Sequence, residues 1–421
     1  MTTTRALLAI SVLSLLAAAV VALVSRTPAD VRLDRAPADA TDPSHGATFT
    51  ESQVRRHGAY REASYAAFGA SLVVEVATLL LLARGPLRSV LEAGQRLPGG
   101  WFTRTLLAAA FLALMTWVAQ MPLAYVHGYV VQHAWDLSTQ TVGPWFVDRL
   151  RSLLVGVVVA LVGATAFFAL VRWQPRTWWV WGWAGFTLLT ALLFFLYPVV
   201  IAPLFNRFTA LDDAALERDI RSLAAEAGVE VDDVLVADAS RRSTVENAYV
   251  AGLGATKQVV LYDTLLTAGS PAETRYVVAH ELGHQVENHI LKNLVLSSVG
   301  LAVGFGALGL LARRSGLWRW AGADGIADPA VLPLLLVFAT LAGLLVLPLQ
   351  NVVSRAFEAR ADQIALDLTG DPDTAIRVHR RLAFSNIADL RPPAAAVWLL
   401  YSHPPVADRI EAAVAERAPA Q

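Results

Sequence analysis

The sequence predicts a mainly α-helical, multi-pass membrane protein with about seven transmembrane helices and a small strand element. Of its 421 residues, 55% are hydrophobic and only 16% are charged, whereas an ordinary soluble domain has roughly 25% charged residues. Seven apolar stretches reach or approach the length of about 20 residues that crosses a bilayer. Arginines flank most of them, and several tryptophans between Trp173 and Trp181 form the kind of aromatic belt found at a membrane interface.

The predicted spans follow one another along the chain, with a loop and a short amphipathic helix near Glu51–Arg61 between the first two. The first span also fits a cleaved signal peptide, because Arg5 precedes its apolar run, although no small-x-small cleavage site follows. The seven stretches are Leu7–Val24, Ala66–Ala83, Thr105–Tyr125, Leu153–Val171, Trp178–Leu204, Leu294–Ala312 and Pro329–Leu349.

Composition also excludes several classes of function. The formal net charge of -1 gives no basic surface for nucleic acid. The absence of cysteine excludes cysteine proteases, thiolate zinc sites, iron–sulfur clusters and disulfides. Any metal must therefore be bound by histidine, aspartate or glutamate.

The segment His280–His284 reads HELGH, which is an HExxH motif on a predicted helix. A capping box beginning at Ser270 marks the start of that helix. Residues four apart share a helix face, so both histidines can bind one zinc ion. Glu281 then lies beside the metal, where it can act on a water molecule. The alternative is an ordinary helix whose histidines are satisfied by hydrogen bonds.

A catalytic zinc site takes three protein ligands, so a third one must lie elsewhere in the chain. Glu287 and Ile290 stand where a metzincin motif requires glycine and histidine, which excludes that class. His289 comes five residues after His284, and we expect it to turn away from the site and lie at the surface.

The best source of the third ligand is the run SRAFEARAD, which begins at Ser354. Glu358 and Asp362 are four residues apart, so one can bind the metal while the other holds a ligand imidazole. The alternative is a solvated helix face on which Glu358 pairs with Arg355 or Arg360.

These two motifs, separated by two apolar segments, resemble those of the type I CAAX prenyl protease family of integral-membrane zinc metallopeptidases, which carry HExxH plus ExxxD. The resemblance covers nearly the whole chain and is sharpest from about residue 200 to 410. Ala239 is one departure, since some relatives have glycine there, and the segment 133–141 is another. The other similar segments are Pro203–Leu211, Val234–Ser243, Asn247–Tyr249, Val260–Leu266, Tyr401–Pro405 and Asp408–Ile410.

The resemblance implies one zinc ion per chain, a general base, and a carboxylate behind a ligand histidine. It also implies a large chamber enclosed by the membrane helices. The implied zinc ligands are His280, His284 and Glu358, the base is Glu281, and the supporting carboxylate is Asp362.

Five further residues take roles from the same resemblance. His403 and Arg409 would be catalytic, by steadying the substrate carbonyl or the transition state. Read without the family, the first belongs to a turn and the second pairs with Asp408 or Glu411. The implied substrate-binding strand contains Asn247, Ala248 and Tyr249.

We divide the chain into four parts: 1–205 with five spans, a catalytic segment 206–292 with strands, two further transmembrane helices in 293–350, and a helical segment 351–421 that supplies the third ligand. Seven crossings place the two polar parts on the same side of the membrane. Most of the 34 basic residues lie on that side, which favours the cytoplasmic face.

The expected function is that of a CAAX prenyl protease-like zinc metalloendopeptidase in the cell membrane. Its partners would be the lipid bilayer and a peptide or protein substrate, either membrane-associated or lipidated, and no nucleic acid. One alternative is a quality-control metalloprotease of the heat-shock membrane type, which usually has fewer spans. The other is a transporter or scaffold with a non-catalytic zinc site.

Overall fold

The computed structural model describes residues 2–33, 39–252 and 257–417, which are predominantly helical. The helices are α1 (Thr3–Val24), α2 (Ala29–Leu33), α3 (Glu51–Ala83), α4 (Pro86–Gly94), α5 (Trp101–Tyr125), α6 (Gln132–Ala134), α7 (Val142–Trp173), α8 (Trp178–Leu196), α9 (Ala214–Glu226), α10 (Asp263–Ala268), α11 (Pro271–Val286), α12 (His289–Leu311), α13 (Ser315–Trp320), α14 (Leu332–Thr369), α15 (Pro372–Ser385), α16 (Ala394–Leu400) and α17 (Val406–Ala415). The strands are β1 (Phe208–Ala210), β2 (Asp233–Ala237), β3 (Ala248–Ala251) and β4 (Gln258–Tyr262).

Seven helical segments in the described part of the chain are long and apolar enough to cross a membrane, and together they cover the seven predicted spans except Ala312. The fifth segment continues past α8 to Leu204. Two of the seven segments continue well beyond the apolar stretch. The short helix expected near Glu51–Arg61 is the first part of α3, which starts at a capping box between Thr50 and Gln53. Helix α14 likewise runs on to Thr369. These extensions carry membrane helices directly into the polar end of the molecule.

The membrane helices pack in a closed circuit. Helix α14 contacts α3, which contacts α5, and the contacts continue through α7, α8 and α12 back to α14. Helix α1 packs against α3 and α5. A closed circuit is the arrangement expected of helices that enclose a chamber. The predicted fold class, a mainly α, multi-pass membrane protein with about seven transmembrane helices and a small strand element, is confirmed.

The four strands form one sheet in the order β1–β2–β4–β3, so β3 is an edge strand. Strands β2 and β4 are parallel, and the other pairs are antiparallel. Buried apolar residues join this sheet to α9, α11 and α15 in one core that includes Ile220, Val259, Leu261, Tyr276 and Ile376. The core therefore unites residues of the 206–292 and 351–421 segments and holds β3 next to α11.

Contacts with two loops place both polar segments at one end of the bundle. The buried Arg380 donates hydrogen bonds to the carbonyl oxygens of Ala40, Gly46 and Thr48, in the loop before α3. Near α6, the N–H of Thr139 donates to the carbonyl of Arg242. Both loops lie on the side that seven crossings assign to the polar segments.

Candidate metal centre

The HExxH histidines and the proposed third ligand come from two helices that cross at close range. His280 and His284 lie on α11, Glu358 lies on α14, and one donor atom from each residue lies within 4.8 Å of the others. Nε2 of His280 lies 3.3 Å from Glu358 Oε2, and Nε2 of His284 lies 3.5 Å from Glu358 Oε1. The two Nε2 atoms are 3.2 Å apart. The structure thus gathers two nitrogens and a carboxylate around one point.

Local sequence explains how α11 reaches this position. The predicted capping box is present, since Ser270 and Glu273 each accept a hydrogen bond from the other's backbone N–H. Gly283 lets the two helices approach, because a Cβ atom on it would lie 3.1 Å from both Cα and O of Ala361 on α14. The small residue within the motif therefore brings the Glu358 helix against the histidine helix.

The charges at this point fit a bound cation. Glu358 Oε2 is buried and faces Nε2 of His280 and Nε2 of His403, each at 3.3 Å, without a well-formed hydrogen bond to either. Burial alone would lower the pKa of His280, but the Asp362 and Glu358 carboxylates raise it to about 10. Burial, with the neighbouring His280, lowers the pKa of His284 to about 4. Two imidazoles and a carboxylate form a donor set that suits zinc.

Glu281 lies at the same site, on the turn of α11 between the two histidines. Burial raises the pKa of Glu281 to about 7, and Glu358 adds to the rise against the opposing charges of His280 and Arg409. A general base works best when its pKa lies near the working pH. The environment therefore suits Glu281 to proton transfer near neutrality.

Asp362 connects His280 to Arg409. Its Oδ1 lies 2.8 Å from Nδ1 of His280, the ring nitrogen that does not face Glu358. Arg409 donates to both Asp362 oxygens, from Nε at 2.7 Å and from Nη2 at 2.6 Å. Arg409 thus pairs with a buried carboxylate on another helix, rather than with its sequence neighbours Asp408 or Glu411.

The two arginines that could pair with Glu358 on a solvated helix face, Arg355 and Arg360, have other partners. Arg355 donates to the carbonyl oxygens of Val397 and Tyr401, and Arg360 pairs with Glu287. Glu358 is buried. The structure therefore disagrees with a solvated helix face at Glu358.

Two buried residues behind Asp362 were missed by sequence reasoning. Nε2 of His379 lies 3.9 Å from Asp362 Oδ1, and the Tyr276 hydroxyl lies 3.2 Å from the same nitrogen. Burial lowers the pKa of His379 to about 3, with Arg409 adding to the effect. His379 is therefore neutral and offers packing and a hydrogen bond rather than charge. The only indication in the sequence that either residue lies near the site is the helical spacing of Tyr276 relative to His280 on α11.

The expectation that His289 lies at the surface is wrong. It is buried, and its Nδ1 lies 2.9 Å from Nδ1 of His284. Five residues along one helix would separate these side chains, but α11 ends at Val286 and α12 begins at His289. Asn288 between them is left-handed, with φ 51. That residue redirects the chain and brings His289 back to the site.

The remaining predicted site residues lie in the loop before α17 and at the start of β3. His403, in the loop before α17, places its Nε2 3.3 Å from Glu358 Oε2, with its side chain 59% exposed. Asn247 precedes β3, and its Oδ1 accepts from the N–H of Ala248. Tyr249 packs edge-on against Tyr262, with ring centroids 6.4 Å apart. His403 therefore adjoins the cluster directly, whereas β3 lies against α11, the helix that carries HExxH.

A cavity of about 360 Å³ adjoins the cluster. His403 and Arg409 line it on the side of the metal centre, and Arg61, Asn386 and Tyr401 line it further out. The cavity therefore reaches two residues that contact the carboxylates of Glu358 and Asp362. A membrane helix bundle that ends in an HExxH centre of this kind defines a membrane metalloendopeptidase.

Comparison with known proteins identifies the family. Residues 210–417 match the model of peptidase family M48, and residues 36–207 match the model described as CAAX prenyl protease N-terminal, five membrane helices. The chain belongs to the CAAX prenyl protease family of M48 peptidases, as the sequence motifs predicted.

Individual relatives agree with this assignment. The chain is 32% identical to an uncharacterized metalloprotease, YhfN, of Bacillus subtilis, covering 75% of this chain and 74% of the relative. It is 30% identical to the CAAX prenyl protease 1 homolog of Arabidopsis thaliana, covering 72% of each. The crystal structure of S. mikatae Ste24p has the same fold, with a TM-score of 0.77, 24% identity, and coverage of 97% of this chain and 99% of that one.

Proposed function

We propose that this metalloendopeptidase uses one zinc ion, held by His280, His284 and Glu358, to hydrolyse peptide bonds at the cytoplasmic end of the bundle. The observation that carries the proposal is the convergence of these side chains, with one donor atom of each within 4.8 Å of the others, around a buried carboxylate oxygen without a well-formed hydrogen bond. Zinc, when bound, supplies an activated water molecule and polarises the substrate carbonyl.

The chain's own residues supply proton transfer and positioning. Glu281 accepts the proton of the attacking water and passes it to the leaving amine. Asp362 holds the outer nitrogen of His280 and so fixes that ring's tautomer and orientation. Arg409 keeps Asp362 charged and in place through two hydrogen bonds.

His403 is the group best placed to stabilise negative charge on the substrate oxygen. Its ring lies within 3.3 Å of Glu358 and is largely exposed to the cleft. Arg409 also lines the adjoining cavity. Donors fixed in place before the reaction stabilise developing charge most effectively.

The edge strand β3 is the proposed substrate-binding element. An extended peptide can add to an open sheet edge through main-chain hydrogen bonds, which tolerate many sequences. Asn247, Ala248 and Tyr249 would contact it there. Because relatives of this chain are named CAAX prenyl protease 1, we further propose that the substrate is a prenylated protein.

Cleavage by the purified protein tests the function. One peptide, with and without a prenyl group, is incubated with wild-type protein, Glu281→Gln and Glu358→Ala in detergent, and zinc content is measured in parallel. We expect cleavage by wild type only, with zinc retained in Glu281→Gln and lost in Glu358→Ala. Zinc at full occupancy in Glu358→Ala would remove that residue from the ligand set. Equal rates on both peptides would reject the prenyl group as a determinant.

A further inference from the structure

The register of β3 shows which of its backbone groups face the open edge. The N–H of Tyr262 donates to the carbonyl of Asn247, and the two residues are paired in the antiparallel register that continues through β3 and β4. In an antiparallel pair, alternate residues direct their backbone groups to the neighbouring strand. The residues between them, Glu246, Ala248 and Val250, therefore direct theirs to the open edge.

Two of these three residues already have partners. Oδ1 of the adjacent Asn247 accepts from the N–H of Ala248 at 2.9 Å, so an added strand must displace that side chain to pair there. The N–H of Glu246 donates to Oδ1 of Asn386 at 3.1 Å, and Nδ2 of Asn386 donates to the carbonyl of Glu246 at 3.3 Å. A side-chain amide contains the same donor and acceptor as a peptide group. Asn386 thus occupies the place that one residue of an added strand would take, and it closes the edge at Glu246.

Asn386 is held firmly in this place. Arg61, on membrane helix α3, donates to the carbonyl oxygens of both Asn386 and Ile387. Ile387 is buried and left-handed, with φ 46, a conformation that costs free energy in a β-branched residue. Such strain persists only where the surroundings fix the backbone, and it is concentrated at functional sites.

Glu246 is equally well fixed. Its carboxylate pairs with Arg381 on α15, one turn before Asn386, and the same arginine pairs with Glu273 in the first turn of α11. The closed end of the edge is therefore tied to the helix that carries HExxH. A displacement of Asn386 relative to the metal centre would disturb both ion pairs.

Asn386 also stands where the sheet edge meets the cavity. The cavity of about 360 Å³ is lined by Asn386 at one point and by His403 and Arg409 near the metal centre. A peptide paired with Ala248 and Val250 cannot continue along the edge past Asn386. It must leave the edge there and turn toward the cavity.

We propose that Asn386 is a specificity-determining residue that ends the strand-paired part of the substrate and thereby fixes which peptide bond lies at the metal centre. This inference rests on the proposed function, because it assumes that β3 binds the substrate. The loop after α15 would then determine which peptide bond is cut, and Arg61 would hold that loop in place.

Cleavage mapping on zinc-loaded, full-length protein tests the inference. The substrates are synthetic peptides that share one sequence and differ only in length at either end, and mass spectrometry identifies each bond cut. Wild type should cut mainly one bond. Asn386→Ala opens the edge at Glu246, so the preference for that bond over its neighbours should fall roughly tenfold, as expected for the loss of an ordering pair of hydrogen bonds.

Asn386→Asp provides a second variant of the same size. It keeps an acceptor for the N–H of Glu246 but loses the donor to its carbonyl, so it should also relax the preference for one bond. It therefore tests the inference even where the alanine variant fails to fold. Gln258→Ala is the matched control, because that amide lies in the same sheet but donates to Asp233. It should cut as wild type does.

Unchanged bonds and unchanged ratios in a folded Asn386 variant would overturn the inference while leaving the proteolytic function intact. Wild-type protein that retains zinc and cuts none of the peptides would instead reject the proposed function, and the inference with it.

Discussion

Nδ1 of His284 lies 2.9 Å from Nδ1 of His289, across the junction of two helices. If His284 presents Nε2 to the metal, its Nδ1 carries the proton and donates a hydrogen bond to Nδ1 of His289. The ring of His289 stacks on Phe357, with centroids 4.1 Å apart and planes 14° apart. Phe357 immediately precedes Glu358, so this histidine contacts both helices that form the centre.

We therefore expect His289→Ala to weaken zinc binding by roughly tenfold or more, since partners of ligand histidines have effects of that size. Competition with a chelator measures the affinity directly, without reference to activity. His45→Ala, at an exposed loop position, should leave the affinity unchanged. Equal affinities in the two variants would assign His289 a packing role only.

Gly283→Ala should separate α11 from α14. The new methyl group would lie 3.1 Å from the backbone of Ala361, and overpacking of this kind costs about 1–3 kcal/mol. We expect a lower unfolding temperature and weaker zinc binding, because Glu358 moves with α14. The control is Gly304→Ala on α12, where no atom lies within 4 Å of the added Cβ. Equal thermal shifts would show that the close approach is unimportant.

Glu281→Gln should preserve the fold and the zinc content and lower the turnover rate by roughly 10²–10⁴, the usual contribution of a general base. The amide has nearly the same shape but cannot accept the proton of water. Single-turnover kinetics on one peptide, with zinc measured on the same sample, provide the comparison. Turnover at the wild-type rate would exclude Glu281 as the base.

The pH dependence follows from the same carboxylate. Burial raises the pKa of Glu281 to about 7 in the metal-free protein, and the base is active only when deprotonated. Activity should therefore fall as the pH is lowered, with a midpoint at or below 7, because a bound divalent cation favours the carboxylate. Measurement of kcat/KM against pH, at saturating zinc, checks this. A rise in activity toward acid pH would contradict it.

Topology can be tested with single cysteines, because the protein has none of its own. Cysteines introduced at Asp232 and Glu416 should be labelled by an impermeant reagent from the same side of the membrane, which we expect to be cytoplasmic. A cysteine at Arg176, between α7 and α8, should be labelled from the other side. Opposite sidedness of the first two positions would defeat both the seven-span arrangement and Glu358 as a ligand.

The sequence was sufficient for features that depend on local patterns. Apolar length predicted all seven membrane helices, and the capping box at Ser270 predicted where α11 begins. The HExxH and ExxxD spacings placed His280, His284, Glu358 and Asp362 on the faces where the structure has them.

Features set by a single backbone conformation or by distant packing could not be read in this way. A left-handed Asn288 reverses the direction expected for His289, and nothing in helical periodicity indicates it. His379 lies near Asp362 where α15 packs on α11, and Asn386 bonds to Glu246 next to the left-handed Ile387. Tertiary contacts determine these positions, so the sequence patterns around them are ordinary.

The separation of the donor residues along the chain has a consequence for biogenesis. His280 and His284 are synthesised before the last two membrane helices, whereas Glu358 and Asp362 emerge only after both. A nascent chain that has not completed its final crossing thus has an HExxH helix without its third donor, and Arg409, which holds Asp362, arrives later still. With Glu358 as the proposed third ligand, completion of the centre therefore requires completion of membrane insertion, and a partly inserted chain lacks the full donor set.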